Sequence, residues 1–275
     1  MPSPRVVGSA CGRMLRRSLP ALVASAALVA VGAFGALGYH FVTSSPRFAV
    51  TGVEVRGTHH LAADAVRAAL PVHLGDNVFA ANLDTVTRDL LADPWVASAS
   101  AHRVLPHTIV VDVHERTPVA VVDLDGLYLV EADGHPFKRA ELADGDGDGL
   151  PVITGVLRDA YTSDPEAAAT TIRTALAALD TWHTTATRPS IGEVHVDPHG
   201  AVTFHTYDHA TAIQLGMLTE TVLGGTPQIA DRMSTFDLAW AELDPAERLR
   251  ARAVHLDARP DHVTVAFAPA SPTLN

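Results

Sequence analysis

The chain has 275 residues, 47% of them apolar and 19% charged, with a formal net charge of −11 and a single cysteine. That apolar content excludes a disordered chain, and the negative balance argues against a general nucleic-acid binder. One cysteine can build neither a disulfide framework nor a cysteine zinc site.

Four arginines (Arg5, Arg13, Arg16 and Arg17) precede Ser18, and the first acidic residue is Glu54. Ser18 to Pro46 contains no Asp, Glu, Lys or Arg. Its apolar part, Ala21 to Val42, would be about 33 Å long as a helix at ~1.5 Å per residue, matching a hydrocarbon core of roughly 30 Å. No other stretch lacks charge for long enough to span, which excludes a multi-span protein. A lone span must be helical, because lipid cannot satisfy backbone groups. Of 20 basic residues 16 remain after the span, against 31 acidic ones. The positive-inside rule therefore predicts a cytoplasmic N-terminus and an exported remainder. The competing reading is a signal peptide cut near Thr43-Ser44, but its apolar region would be unusually long; a retained anchor is expected.

Phe48 to Gly57 alternates Val53 and Val55 against Glu54 and Arg56, predicting a half-buried strand. Leu61, Ala65, Val66, Ala69 and Leu70 then form a helical stripe stopped by Pro71. A second stripe (Leu83, Val86, Leu90, Leu91) has Asn82 as its N-cap and Asp84 in its first turn, and Pro94 ends it. Strands are expected over Val96 to Val104 and His107 to Arg116, the latter with Ile109, Val111 and Val113 on one face. The order β-α-α-β-β places two amphipathic helices on a three-stranded sheet.

Beyond Pro118, strand-like runs are separated by Asp125-Gly126 and Asp133-Gly134, both hairpin signals. Asp144 to Gly149 reads as a solvated loop. Ser163 to Trp182 is helical, with Pro165 and Glu166 in its first turn. Strands follow at 192–197, 201–206 and 210–216. A helical stretch from Met217 to Leu243, interrupted near Gly224 to Pro227, precedes two closing strands, "RAVHLD" and "HVTVAF". The expected class is α+β: a single N-terminal transmembrane helix, a βααββ unit, and a mixed, mostly antiparallel β domain with helices. The expected boundaries are 1–18 for the tail, 19–43 for the span, 47–116, 117–270, and 271–275 for a second tail.

Candidate chemistry is thin. Asp144, Asp146, Asp148 and Gly149 imitate the start of a calcium loop, but position 12 is Gly155 where a bidentate Glu is needed. His195/His199 and His205/His209 are four apart in strand context, where four residues span roughly 13 Å at ~3.3 Å each, too far for joint ligation. Most histidines alternate with core valines and belong on an outer face. No nucleophile elbow, Walker loop, zincin motif or dinucleotide fingerprint occurs. No catalytic residue, metal site or cofactor is expected. Trp95, Trp182 and Trp240 are expected in cores or interfaces.

Several stretches, in order, resemble the FtsQ/DivIB family of bacterial cell-division proteins. They are "FAVTGVEVRG", "HTIVVDVHERTPVAVV", "GLYLVEADGHPF", "LPVITG", "AIQLG" and "VHLDARPDHVTVAF". The βααββ unit resembles that family's POTRA module. The resemblance implies a non-enzymatic inner-membrane scaffold at the septum, linking early and late division proteins. Its partners would be FtsB- and FtsL-like proteins and further ones of FtsK or FtsW type, the POTRA unit contacting other membrane-anchored division proteins, and neither nucleic acid nor a small-molecule substrate. It also implies that the last strand offers an edge to an FtsB segment. Arg259, Pro260, Val263, Val265 and Phe267 are the implied contact residues, although Ala258 departs from the family's Asp-Leu-Arg. The alternative is a POTRA-bearing protein of secretion or outer-membrane assembly, which would ordinarily carry several such units or a C-terminal barrel.

Overall fold

The computed structural model describes residues 7–218, 228–259 and 262–269. The chain forms two compact units, Met1–Glu115 and Arg116–Asn275. Helix α1 runs from Val7 to Ser44, so it begins well before the expected span and passes through Arg13, Arg16, Arg17 and Pro20 without ending. Within it, Val23–Ser44 is long and apolar enough to cross a membrane, and none of that segment is buried against protein.

The rest of the first unit is β1 (Gly52–Arg56), α2 (Ala63–Ala69), α3 (Leu83–Leu90), β2 (Val96–Val104) and β3 (Thr108–Glu115). The sheet order is β1-β3-β2. β1 lies parallel to β3, and β2 and β3 form an antiparallel hairpin. Asn82 caps α3, its side chain accepting the Thr85 N–H at 3.1 Å. Val66 of α2, Leu70 just after it, and Val86 and Leu90 from α3 pack on Ile109, Val111 and Val113. The expected stripes are corrected in three places. Leu61 precedes α2 and is half-buried beside it, Ala65 and Ala69 of α2 are exposed, and Leu91, the residue after α3, is 49% exposed. Val110, on the sheet's opposite face, is buried as well. Val50, Val72 and Val78 join the core from irregular segments. At Gly57 a Cβ would lie 2.1 Å from the Val113 carbonyl oxygen, and φ is +79°, so only glycine fits.

The second unit contains β4 (Ala120–Asp123), β5 (Leu127–Val130), β6 (Pro136–Arg139), β7 (Val152–Thr154), α4 (Arg158–Ser163), α5 (Pro165–His183), β8 (Ile191–Val196), β9 (Ala201–Thr206), β10 (Ala212–Met217), α6 (Gln228–Glu242), α7 (Pro245–Arg250), β11 (Ala251–Arg259) and β12 (His262–Phe267). Its sheet has the order β12-β11-β10-β9-β8-β7-β4-β5-β6. Among the described residues five of its pairings are antiparallel and three, β4–β7, β7–β8 and β10–β11, are parallel. Parallel neighbours need a crossover. Helices α4 and α5 connect β7 to β8, while α6 and α7 connect β10 to β11. Both crossovers step the same way along the sheet from strands of the same direction, so a right-handed path puts both on one face. One continuous core results: Ile172, Ala175 and Trp182 of α5 and Met233 and Phe236 of α6 meet Val194, Phe204, Ile213 and Val254. The Trp182 ring lies 5.5 Å from Phe204 and 4.7 Å from Phe236.

Helix α4 and the capped turn α7 were not foreseen, and β10 extends to Met217 where helix was expected. The expected interruption at Gly224 to Pro227 lies outside the described residues. The Asp144 to Gly149 segment is also not simply solvated. Asp146 is buried, its carboxylate 2.5 Å from the Lys138 ammonium and accepting the Glu141 N–H at 3.0 Å.

Candidate partner-binding edge

The site begins with the position of β12 at one end of the sheet, paired among the described residues with β11 alone. Its register with β11 pairs Val265 with Val254, Thr264 with His255 and Ala266 with Ala253, and a bulge lies between Ala251 and Ala253. Past the strand's end the Ala268 N–H donates to the Arg250 carbonyl at 2.8 Å. Backbone direction alternates along an antiparallel strand. Ala268, Ala266 and Thr264 therefore turn their N–H and C=O groups toward β11, and those of Phe267, Val265 and Val263 point outward.

Side chains follow the same period. Val263 and Val265 are half-buried against the core and α6 packs on this strand pair, while Thr264 and Ala266 are exposed on the opposite face. Phe267 shares the valine parity but is 40% exposed, with the Arg250 guanidinium 6.0 Å from its ring centre. The bulge at Ala251 lets the strand end drift off the core. Arg259 ends β11 in register with His262. Pro260 lies outside the described residues.

The two ends of this sheet differ chemically. The outer strand β6 opens with Pro136 and carries Lys138 and Arg139, the usual guards against unwanted pairing. Residues 263–268 of the β12 edge hold no charge and no proline. Behind them runs a row of uncharged polar or imidazole side chains in cross-strand register: Thr154, His195, Thr203, Gln214, His255 and Thr264. His255 Nδ1 lies 2.8 Å from Gln214 Oε1. Thr154 Oγ1 donates to Glu193 Oε1 at 2.6 Å, so at 2.9 Å it accepts from His195 Nδ1.

No group of three or more His, Cys, Asp or Glu able to hold a metal occurs among the described residues. A cavity of about 210 Å³ beside β6 is lined by Tyr128, Arg139, Arg158 and Tyr161 among others. There Arg158 donates to the Tyr128 hydroxyl at 3.3 Å and holds that phenol below its ordinary pKa. Sequence reasoning missed Arg250 and the clamp of Arg188 on Asp237, two hydrogen bonds of 2.8 Å each. Neither arginine stands in a pattern that local periodicity could reveal.

Comparison with known proteins agrees with the fold. Residues 48–116 match the POTRA domain, FtsQ-type, and residues 120–259 match Cell division protein FtsQ/DivIB, C-terminal. A Cell division protein FtsQ from Anaeromyxobacter sp. (strain K) is 34% identical over 96% of this chain and 87% of its own length. One from Syntrophotalea carbinolica is 34% identical over 61% of this chain and 59% of its own. One from Myxococcus fulvus is 32% identical over 54% and 51%. With the C-terminal family model covering about half of the chain and a relative aligned along nearly all of it, the protein belongs to the FtsQ/DivIB family of cell-division proteins.

Proposed function

We propose that the chain is a single-pass, non-enzymatic scaffold of the division septum, with its N-terminus cytoplasmic and both folded units across the membrane. It works by being bound. An extended segment of an FtsB- or FtsL-type partner pairs with β12, and the POTRA unit meets further membrane-anchored division proteins of FtsK or FtsW type.

The observation that carries this reading is the uncharged, proline-free outer edge of β12, whose Val263, Val265 and Phe267 backbone groups point away from β11. Unpaired strand groups template a further strand, and strand addition draws its affinity from such main-chain bonds. Arg259, which ends β11, and Pro260, which follows it in the sequence, complete the proposed contact. The cationic N-terminus before the apolar helix supports the orientation.

The test is Val265→Pro in the full-length, membrane-inserted chain. Proline removes an N–H that points outward, and edge positions of that kind tolerate it. The expected result is a folded, membrane-retained protein that no longer captures an FtsB-type segment. Ala266→Arg, a charged guard on the same edge, should weaken capture without touching a core contact. Unchanged capture by both folded variants would overturn the edge reading. A functional tagged copy spread evenly around the envelope during constriction would overturn the septal one.

A further inference from the structure

The end of the first unit from which α1 emerges is built from three segments. Beyond the helix, Val50 N–H donates to Asp76 O at 2.7 Å, Gly75 N–H to Val50 O at 2.8 Å and Val78 N–H to Phe48 O at 2.7 Å. These bonds fasten the loop at residues 73–80 to the chain just after the helix. Asn77 reaches back further, its Nδ2 donating to the Val42 carbonyl in the last turn of α1 at 2.8 Å. The β2–β3 hairpin tip joins them. Arg103 donates to Val78 O at 2.8 Å and to Ala81 O at 2.7 Å, and Thr51 N–H donates to His107 O at 2.9 Å.

This end carries apolar side chains that the fold leaves uncovered. Leu74 is 72% exposed, Leu105 57%, Val104 46% and Phe79 40%. Phe79 also sits edge-to-face with Phe48, centroids 5.3 Å apart. The one carboxylate in the loop is turned to local use, as Asp76 accepts the His73 N–H at 2.7 Å. Exposed leucines and an aromatic ring beside arginines (Arg47, Arg103) are what membrane–water interfaces select.

We propose that this end of the unit rests on the bilayer surface where the span emerges, with Leu74, Phe79, Val104 and Leu105 set into the interfacial layer. The proposal rests on reading Val23–Ser44 as a membrane span. The occupant follows from continuity: a loop bonded to the carbonyl of Val42 stands within a side chain's length of the span's last turn. The headgroup layer extends on the order of 5–8 Å beyond the hydrocarbon, so the loop lies within its depth. The contact gives the POTRA module a defined height and tilt on the membrane, which a single helix followed by a free linker would not.

The experiment uses the full chain carrying Cys11→Ser, reconstituted in phosphatidylcholine/phosphatidylglycerol vesicles. Single substitutions Leu74→Cys, Leu105→Cys, Leu91→Cys and Phe34→Cys each carry an environment-sensitive fluorophore. Leu91 follows the last residue of α3, about 12 Å along the helix axis from Leu83 at ~1.5 Å per residue and so beyond the depth of the headgroup layer. The expected result is quenching by nitroxide-labelled lipid and a blue shift at positions 74 and 105, with neither at position 91. The probe at position 34 reports the span itself. If it is not quenched, the membrane reading fails. If it is quenched while positions 74 and 105 behave like 91, the surface contact is overturned and the patch is left to a protein partner.

Discussion

Asp146 carries the lesson of single residues here. It sits between Asp144 and Asp148, which stay exposed, yet its own side chain is 2% exposed and pairs with Lys138, the chain's only lysine. The Asp146 hydrogen bond raises the Lys138 pKa against the opposing effect of burial, and Glu141 adds to it. Because the folded pKa is raised, Lys138's own contribution is fully present below the unfolded lysine pKa and is lost as pH climbs through the raised folded one. Lys138→Ala leaves the carboxylate buried without its ammonium. It should cost about 2–4 kcal/mol in denaturant unfolding, somewhat less than a fully enclosed pair because the ammonium keeps partial contact with water. Glu115 works in the opposite direction. Burial pushes its carboxyl up, but the N–H groups of His60 and Leu61, at 2.7 and 2.9 Å, outweigh it and hold the pKa below the ordinary value. Its contribution is therefore complete above the unfolded carboxylate pKa and disappears as pH falls through the lower folded one. Glu115→Gln should flatten the acid limb of a stability-versus-pH curve for the POTRA unit while changing its alkaline limb little.

At the level of elements, caps and clamps decide where helices start and stop. Asp164 accepts the Ala167 N–H at 3.0 Å ahead of Pro165, starting α5 with only that one residue between it and α4. Asp244 and Glu247 form a reciprocal capping box on α7. That Asp-Pro-Ala-Glu signature stands plainly in the sequence and should have announced the turn. Arg188 is different, because it joins elements distant in sequence. Its guanidinium grips Asp237 of α6 and donates to the carbonyls of Thr181 and Trp182 at the end of α5, 3.0 Å each. Arg188→Ala should cost about 3 kcal/mol, since a bidentate and largely buried pair is broken from one side. Arg188→Lys should recover little of it, because an ammonium cannot make the fork. Chemical denaturation of the three proteins checks both statements.

The whole molecule is organised by what each sheet leaves uncovered. Both helical crossovers of the second unit lie on one face, so the opposite face stays polar along the row from Thr154 to Thr264, and among the described residues no strand lies beyond β12. The two units have separate cores. Trp182→Ala, which removes the largest fully buried side chain, should lower the stability of the second unit by about 3–5 kcal/mol. The POTRA unit's own unfolding transition should stay where it was, as hydrogen exchange resolved by segment would report.

Local pattern was enough for the apolar helix, the βααββ order, the Asn82 cap, most strands of the second unit and the outward-facing histidines. Each depends on spacing within a few residues, which periodicity reports directly. The order of the nine strands, the free edge at β12, the guarded edge at β6, the burial of Asp146 and the grip of Arg188 on Asp237 depended on the tertiary structure. These features join residues tens of positions apart, such as Gln214 and His255. Such contacts are set by which chain segments share a core, and that choice leaves no mark on the short-range alternation of polar and apolar residues.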